Sequence, residues 1–195
     1  MEALAVILFI CLASIIWCIF IYNHLVSQRN RFKNAFAQID VQLRRRYDLI
    51  PNLIETAKAY LSHEHDTLEA VITARNHALS AVKKASRHPD SSAAVTHLAQ
   101  AEATLGQALL QFHSITEAYP NLKADQTIQQ LTEELTSTEN KVSFARQAYN
   151  DEVMDYNTAC EIFPNVLLAK ALGFHHAHLF KIEETKVKQP IHIQL

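Results

Sequence analysis

Between Ala3 and Gln28 the chain carries no Asp, Glu, Lys or Arg. Within that run, Ala3 to Tyr22 is almost wholly apolar. A helix of about 20 residues, rising about 1.5 Å per residue, matches a hydrocarbon core about 30 Å thick. Trp17 and Tyr22 stand toward its C-terminal end, where an aromatic belt would place them. The expected element is a transmembrane helix over residues 3–22, with the lipid bilayer as its partner. A cleaved signal peptide is the competing reading. It expects a basic leader and a shorter apolar region, whereas only Met1 and Glu2 precede this run. Phe9-Ile10 and Ile16-Trp17 precede Cys11 and Cys18, so neither cysteine follows the small residues of a lipoprotein site.

The flanking charge is one-sided. Arg29, Arg31, Lys33, Arg44, Arg45 and Arg46 follow the apolar run. The positive-inside rule then predicts a single-pass protein of the cell (inner) membrane, with its N-terminus outside and its C-terminal domain cytoplasmic. The expected division is an anchor over residues 1–22, a helical domain over 23–180 and a tail over 181–195.

Beyond the anchor, the chain reads as helix. Only 2 of 195 residues are glycine and 5 are proline, too few for the turns of a β-protein. With 49% apolar and 19% charged residues, a packed core is expected and disorder is not. A formal net charge of −2 gives no reason to expect a nucleic-acid partner. Cys11, Cys18 and Cys160 have neither metal-ligand nor redox spacing and read as small buried apolar residues.

The apolar spacing places the elements. No Gly or Pro interrupts Ile21 to Ile50, so the first soluble helix is continuous with the membrane helix. Leu25, Phe32, Phe36, Ile39, Leu43, Tyr47 and Ile50 form one stripe along it. Pro51 is expected to kink or break the helix, with a second stretch from Asn52 to about Leu61. Asp66 to Ser86 is the next helix, and Arg87 to Ser92 is a loop with Asp90, Ser91 or Ser92 as cap. Ala93 to Ala118 follows, with Gly106 inside it marking a close helix approach. Tyr119-Pro120-Asn121 is a break. A long helix then spans Asp125 to Phe163, and a short one spans Asn165 to Leu172 with Gly173 as C-cap. Pro190 argues against helix in the tail. Three long soluble helices and some short ones, joined by short loops, predict an all-α, antiparallel up-down bundle. A rod-like coiled coil is the alternative, and the loops at 87–92 and 119–121 favour the bundle.

Several stretches resemble the LemA family. They are Tyr22 to Val26, Arg29-Asn30-Arg31, Ile39 to Leu53, Tyr119 to Leu122 and Glu139 to Val142. Phe144 to Gln147, Tyr149-Asn150-Asp151, Tyr156-Asn157, Phe163-Pro164 and Gly173-Phe174 continue the match in order and at similar spacing. The resemblance reaches about residue 180. It implies one N-terminal anchor, an antiparallel helical bundle and no known catalytic activity, the family's biochemical role being poorly defined. Phe36 stands where many members carry Trp, and the histidines 175, 176 and 178 are not a family feature.

The residues themselves offer little chemistry. Of 11 histidines, His63 and His65 point apart on a helix, while His175 and His178 could share a face with each other, and Glu161 or Glu183 would have to be recruited as a further ligand. A zinc site needs three or four ligands and supporting partners, so surface histidines are the preferred reading and no metal or other cofactor is expected. No serine sits in a Gly-flanked elbow, Cys160 lies within an apolar helix, and the scarcity of glycine excludes a phosphate loop.

A dense polar set is left. Asp40, Arg44, Arg45, Arg46 and Asp48 lie on the first helix, and Glu139, Asn140, Arg146, Asn150 and Asp151 on the last long one. They read either as a network that sets helix register or as a partner-binding face, the first weighing more. Arg44, Arg45 and Arg46 point three ways, so they cannot all be buried. Arg46 lies 24 residues past Tyr22, about 36 Å on a straight helix, beyond reach of headgroups without a tilt or bend. The segment Phe163 to Phe180 is apolar on most sides but too short to span a bilayer. Docking on the bundle or on a second copy is preferred over an interfacial membrane helix.

The expected function is a non-enzymatic, membrane-anchored scaffold or adaptor that self-associates as a homo-oligomer and serves membrane-protein partners. The alternatives are a regulator of a membrane-bound enzyme, such as an envelope quality-control protease, and a His-based metalloenzyme.

Overall fold

The computed structural model describes residues 1–182. The rest of the expected tail, including Glu183 and Pro190, lies outside the described residues. Among the described residues six helices follow in order: α1 (Glu2–Lys58), α2 (His65–Arg87), α3 (Ser92–Ala118), α4 (Pro120–Lys123), α5 (Gln126–Glu161) and α6 (Asn165–Ala171). Among the described residues there is no strand, so the protein is all-α.

The 57 residues of α1 form one rod about 86 Å long. Its first third is apolar and uncovered: residues 2–20 are all exposed, and Ile21 is the first buried position. Cys11 and Cys18 are therefore exposed to whatever surrounds the rod, not buried in protein as expected; only Cys160 is buried. This part of α1 is long and apolar enough to cross a membrane. From Ile21 onward the predicted stripe turns inward. Leu25, Phe32, Phe36, Ile39, Leu43, Tyr47 and Ile50 are all essentially inaccessible.

The expected break at Pro51 does not occur. Proline lacks the N–H that would donate to the Tyr47 carbonyl one turn earlier. Arg75, reaching across from α2, donates from Nε to that carbonyl at 3.0 Å. Leu53, Ile54 and Ala57 then continue the buried face beyond the proline.

The soluble part of α1 joins α2, α3 and α5 as the fourth long member of an antiparallel bundle. Lys33 Nζ lies 3.4 Å from Asp90, which sets the α2–α3 loop beside the apolar end of the soluble α1. Tyr60 donates to Asp125 at 2.9 Å, which sets the start of α5 at the opposite end. Thus α1 and α3 run away from the apolar segment, and α2 and α5 return toward it. The main packed pairs are α1 with α5 and α2 with α3. Between α1 and α5, Phe36 meets Tyr149 edge-on at 5.4 Å and Phe32 meets Tyr156 at 5.0 Å.

The helix ends follow local rules. Ser91 caps α3, its hydroxyl accepting from the Ala94 N–H at 3.4 Å. The Asp125 carboxylate caps α5, accepting from Ile128 and Thr127. The Ile128 N–H, then the Tyr60 hydroxyl, hold its pKa below the usual range. Gly173 follows α6 with φ of 72°, and the Phe174 N–H reaches the Ala169 carbonyl at 2.9 Å, a Schellman closure. Gly106 marks no close approach, since a Cβ built there would meet nothing within 4 Å.

Candidate functional site

The polar set divides into surface pairs and one buried cluster. Arg44 donates to Asp40 at 2.9 Å, one turn back on the same helix. Arg45 crosses to Glu134 on α5 at 2.8 Å, again in solvent. Asp48 lies 3.9 Å from Arg75 and is itself exposed. Such exposed pairs contribute about 0–1 kcal/mol each. Arg46 differs. It turns inward, its side chain 7% exposed, and donates at 3.1 Å to Glu102 of α3, whose side chain is wholly buried. The neighbouring Tyr47 hydroxyl donates to the other Glu102 oxygen. The three arginines do point three ways, and one is buried.

Burial pushes the Glu102 carboxyl up, against the opposing pull of Arg46 and the Tyr47 hydrogen bond. Burial, reinforced by the Glu102 charge, also pushes the Tyr47 phenol up. Glu102 stands in the apolar stripe of α3, between Leu98 and Leu105. An acid at a core position of an otherwise apolar stripe is the signal that could have found it. The cluster joins α1 to α3 and is sealed from solvent, so it can set register but cannot receive a substrate.

On α5, Glu139, Asn140 and Asp151 are exposed and Arg146 is half-buried. Glu139 lies near enough to Glu102 for its charge to raise that carboxyl further. Asn150 has a different task. Its amide donates to the Phe180 carbonyl at 3.3 Å and accepts from the Phe180 N–H at 2.8 Å. Asn157 clamps Ala177 in the same way, at 3.0 and 2.9 Å. Beside them, the Tyr149 and Tyr156 hydroxyls donate to the carbonyls of His178 and His175, at 2.8 and 2.9 Å. Burial pushes both phenols up.

A strap of non-helical chain, residues 174–180, is thus held along α5. The match is metrical. The two Tyr-Asn pairs are seven residues apart, about 10.5 Å of helix. Their targets are three residues apart, about 10 Å of extended chain. Every third strap residue is buried, namely Phe174, Ala177 and Phe180, and His175, His176 and His178 face out. The strap docks on its own bundle. Phe174 meets Tyr22 at 6.0 Å, and the Arg29 guanidinium stacks over its ring at 5.1 Å. The repeated Tyr-Asn pair was visible in the sequence; its targets were not.

The histidines do not converge. Among the described residues, no three His, Cys, Asp or Glu side chains gather as ligands. His176 pairs with Glu161 at 3.4 Å, and His65 with Glu69 at 3.6 Å. Glu64 accepts instead from the Tyr119 hydroxyl at 3.2 Å. Burial raises the Cys160 thiol, which keeps it protonated and unreactive. An open cavity of about 370 Å³ lies between the strap and the α2–α3 loop, lined by Arg29, His88, Asp90, Ser91, Tyr156 and His175 among others. Its walls mix charges of both signs.

Known proteins are similar to this chain along most of its length. Protein LemA of Metamycoplasma hominis is 23% identical over 162 residues, covering 83% of this chain and 69% of its own length. Magnetosome protein MamQ of Magnetospirillum gryphiswaldense is 23% identical over 177 residues, covering 82% of this chain but only 64% of its own length. The profile of the LemA family matches residues 35–195, from mid-α1 through the whole bundle, and the chain belongs to that family.

Proposed function

We propose that this chain is a non-enzymatic, membrane-anchored helical scaffold that self-associates and presents its bundle faces to membrane-protein partners. One observation carries the reading. The apolar segment and the first core helix are a single unbroken α1, with exposed apolar side chains up to Phe20 and a buried stripe from Ile21. A helix without a hinge transmits the orientation of its buried end. The bundle therefore stands at a set height and angle above the bilayer, which suits assembly at a fixed distance from the surface. The polar chemistry agrees, because its most desolvated group, Glu102, is sealed between helices. Leu110 on α3 and Phe144 and Met154 on α5 are large apolar side chains left exposed on the outer faces, and they are the groups self-association would cover.

In this reading the basic residues after the apolar segment hold the bundle on the cytoplasmic side of the cell membrane. Two experiments test it. Sedimentation of the full chain in mild detergent should show an oligomer whose population grows with concentration; a strict monomer throughout removes self-association. Crosslinking in native membranes followed by pull-down should capture other copies of the chain. Stoichiometric capture of one membrane enzyme alone would favour regulation over scaffolding.

A further inference from the structure

We propose that the turn between α5 and α6 is a second membrane contact, an apolar foot that rests in the interfacial layer of the same bilayer α1 crosses. The proposal builds on the anchored reading of α1. The foot consists of Ile162, Phe163, Leu167 and Leu172, exposed by 49%, 81%, 63% and 51%. These are large apolar side chains clustered at the anchor end of the bundle, and the bundle leaves about half or more of each exposed.

Their height is set by the packing of α5 on α1. Phe32 and Tyr156 lie side by side. Glu161, the last residue of α5, follows Tyr156 by five residues, and the helices are antiparallel, so it stands level with the α1 residue five before Phe32, which is Ser27. Phe163, two residues further along the chain, reaches about the level of Leu25. That is three residues, about 4.5 Å of helix, beyond Tyr22. A span over residues 3–22 puts Tyr22 at the edge of the hydrocarbon. The headgroup layer extends about 5–8 Å beyond that edge. Phe163 therefore falls within the layer. The contact of Phe174 with Tyr22 ties the foot sideways to the exit point of α1, so it is continuous with the anchor and not a separate surface.

The residue chemistry suits a lipid surface. Leu167 and Leu172 face out from α6, while Asn165 and Ala169 face the bundle. Lys170 stands exposed beside them, with a stem long enough to keep its ammonium among headgroups. A rod held at two points is fixed in tilt as well as in height.

The test uses the full chain in phosphatidylcholine vesicles whose acyl chains carry bromine at chosen depths. Trp17 is the chain's one tryptophan, so its quenching reports the anchor directly. In a Trp17→Phe background, Phe163→Trp and, separately, Leu167→Trp place the indole in the foot, and Leu110→Trp places it on an outer face far from the membrane. Quenching at positions 163 and 167 should exceed that at position 110 several-fold, and should be strongest with bromine near the headgroup. If Trp17 is quenched while positions 163 and 167 behave like position 110, the foot is refuted and the anchor stands. A blue-shifted but unquenched indole there would mark a contact between copies and refute it equally. If Trp17 itself escapes quenching, both readings fall.

Discussion

Arg75 donates its Nε–H to the carbonyl oxygen of Tyr47 at 3.0 Å, the oxygen that Pro51 leaves without a backbone donor. A single side chain from α2 thereby restores what a proline removes from α1. Losing the partner of a buried carbonyl costs about 1–3 kcal/mol. Arg75→Ala should lower the stability of the bundle by that order in chemical denaturation. In a Pro51→Ala background the new N–H can reach the Tyr47 carbonyl, and the cost of Arg75→Ala should shrink. Equal costs in both backgrounds would show that the two residues are not coupled.

Glu102 predicts a pH dependence of definite sign. Its carboxyl is raised in the folded protein, chiefly by burial. The native state therefore holds a proton over a range in which the unfolded chain has lost it. Stability from this group is full below the ordinary glutamate value and declines as pH rises through the raised one. Urea midpoints measured across that range should fall with rising pH, and Glu102→Gln should flatten the trend. Glu102→Ala is a different perturbation. It leaves Arg46 buried without its partner, and should cost about 3–5 kcal/mol.

The strap gives a local prediction. Asn157→Ala deprives the Ala177 N–H and carbonyl of their partners, and Asn150→Ala does the same at Phe180. Each should cost about 1–3 kcal/mol and raise amide exchange at the released residue first. Exchange in α2 and α3, which the strap's clamps do not hold, should change little. Uniform loss of protection throughout the bundle would contradict a local clamp.

Phe32 sits between Tyr149 and Tyr156, with ring centroids at 6.4 and 5.0 Å, and is 1% exposed. Phe32→Ala should open a cavity costing about 3–5 kcal/mol. Phe144→Ala removes a ring of similar size that the bundle leaves 71% exposed. It should leave monomer stability nearly unchanged and weaken self-association in detergent. Loss of fold in the second variant would place Phe144 in the core and out of the proposed contact surface.

Helices, their stripes and most of their ends were legible because the information is local. A 3.6-residue apolar period, a capping Ser91 and a glycine after α6 all act within a few turns of themselves. The uninterrupted path from the apolar run into the first core helix was legible for the same reason, as was the family resemblance, carried by ordered short motifs. The alternative of a break at Pro51 failed because the carbonyl it leaves unpaired is satisfied by Arg75, on another helix. The reading failed at Gly106 because room around a residue depends on its neighbours in space. The polar residues of α1 stand out in the sequence, yet spacing could not say which of three consecutive arginines turns inward or that Glu102 would meet it. Nor could it assign Asn150 to the strap and not to a network with Arg46. Periodicity states which face of a helix is buried. Which partner a buried polar atom finds depends on how the helices cross, and that is decided only when the whole bundle closes.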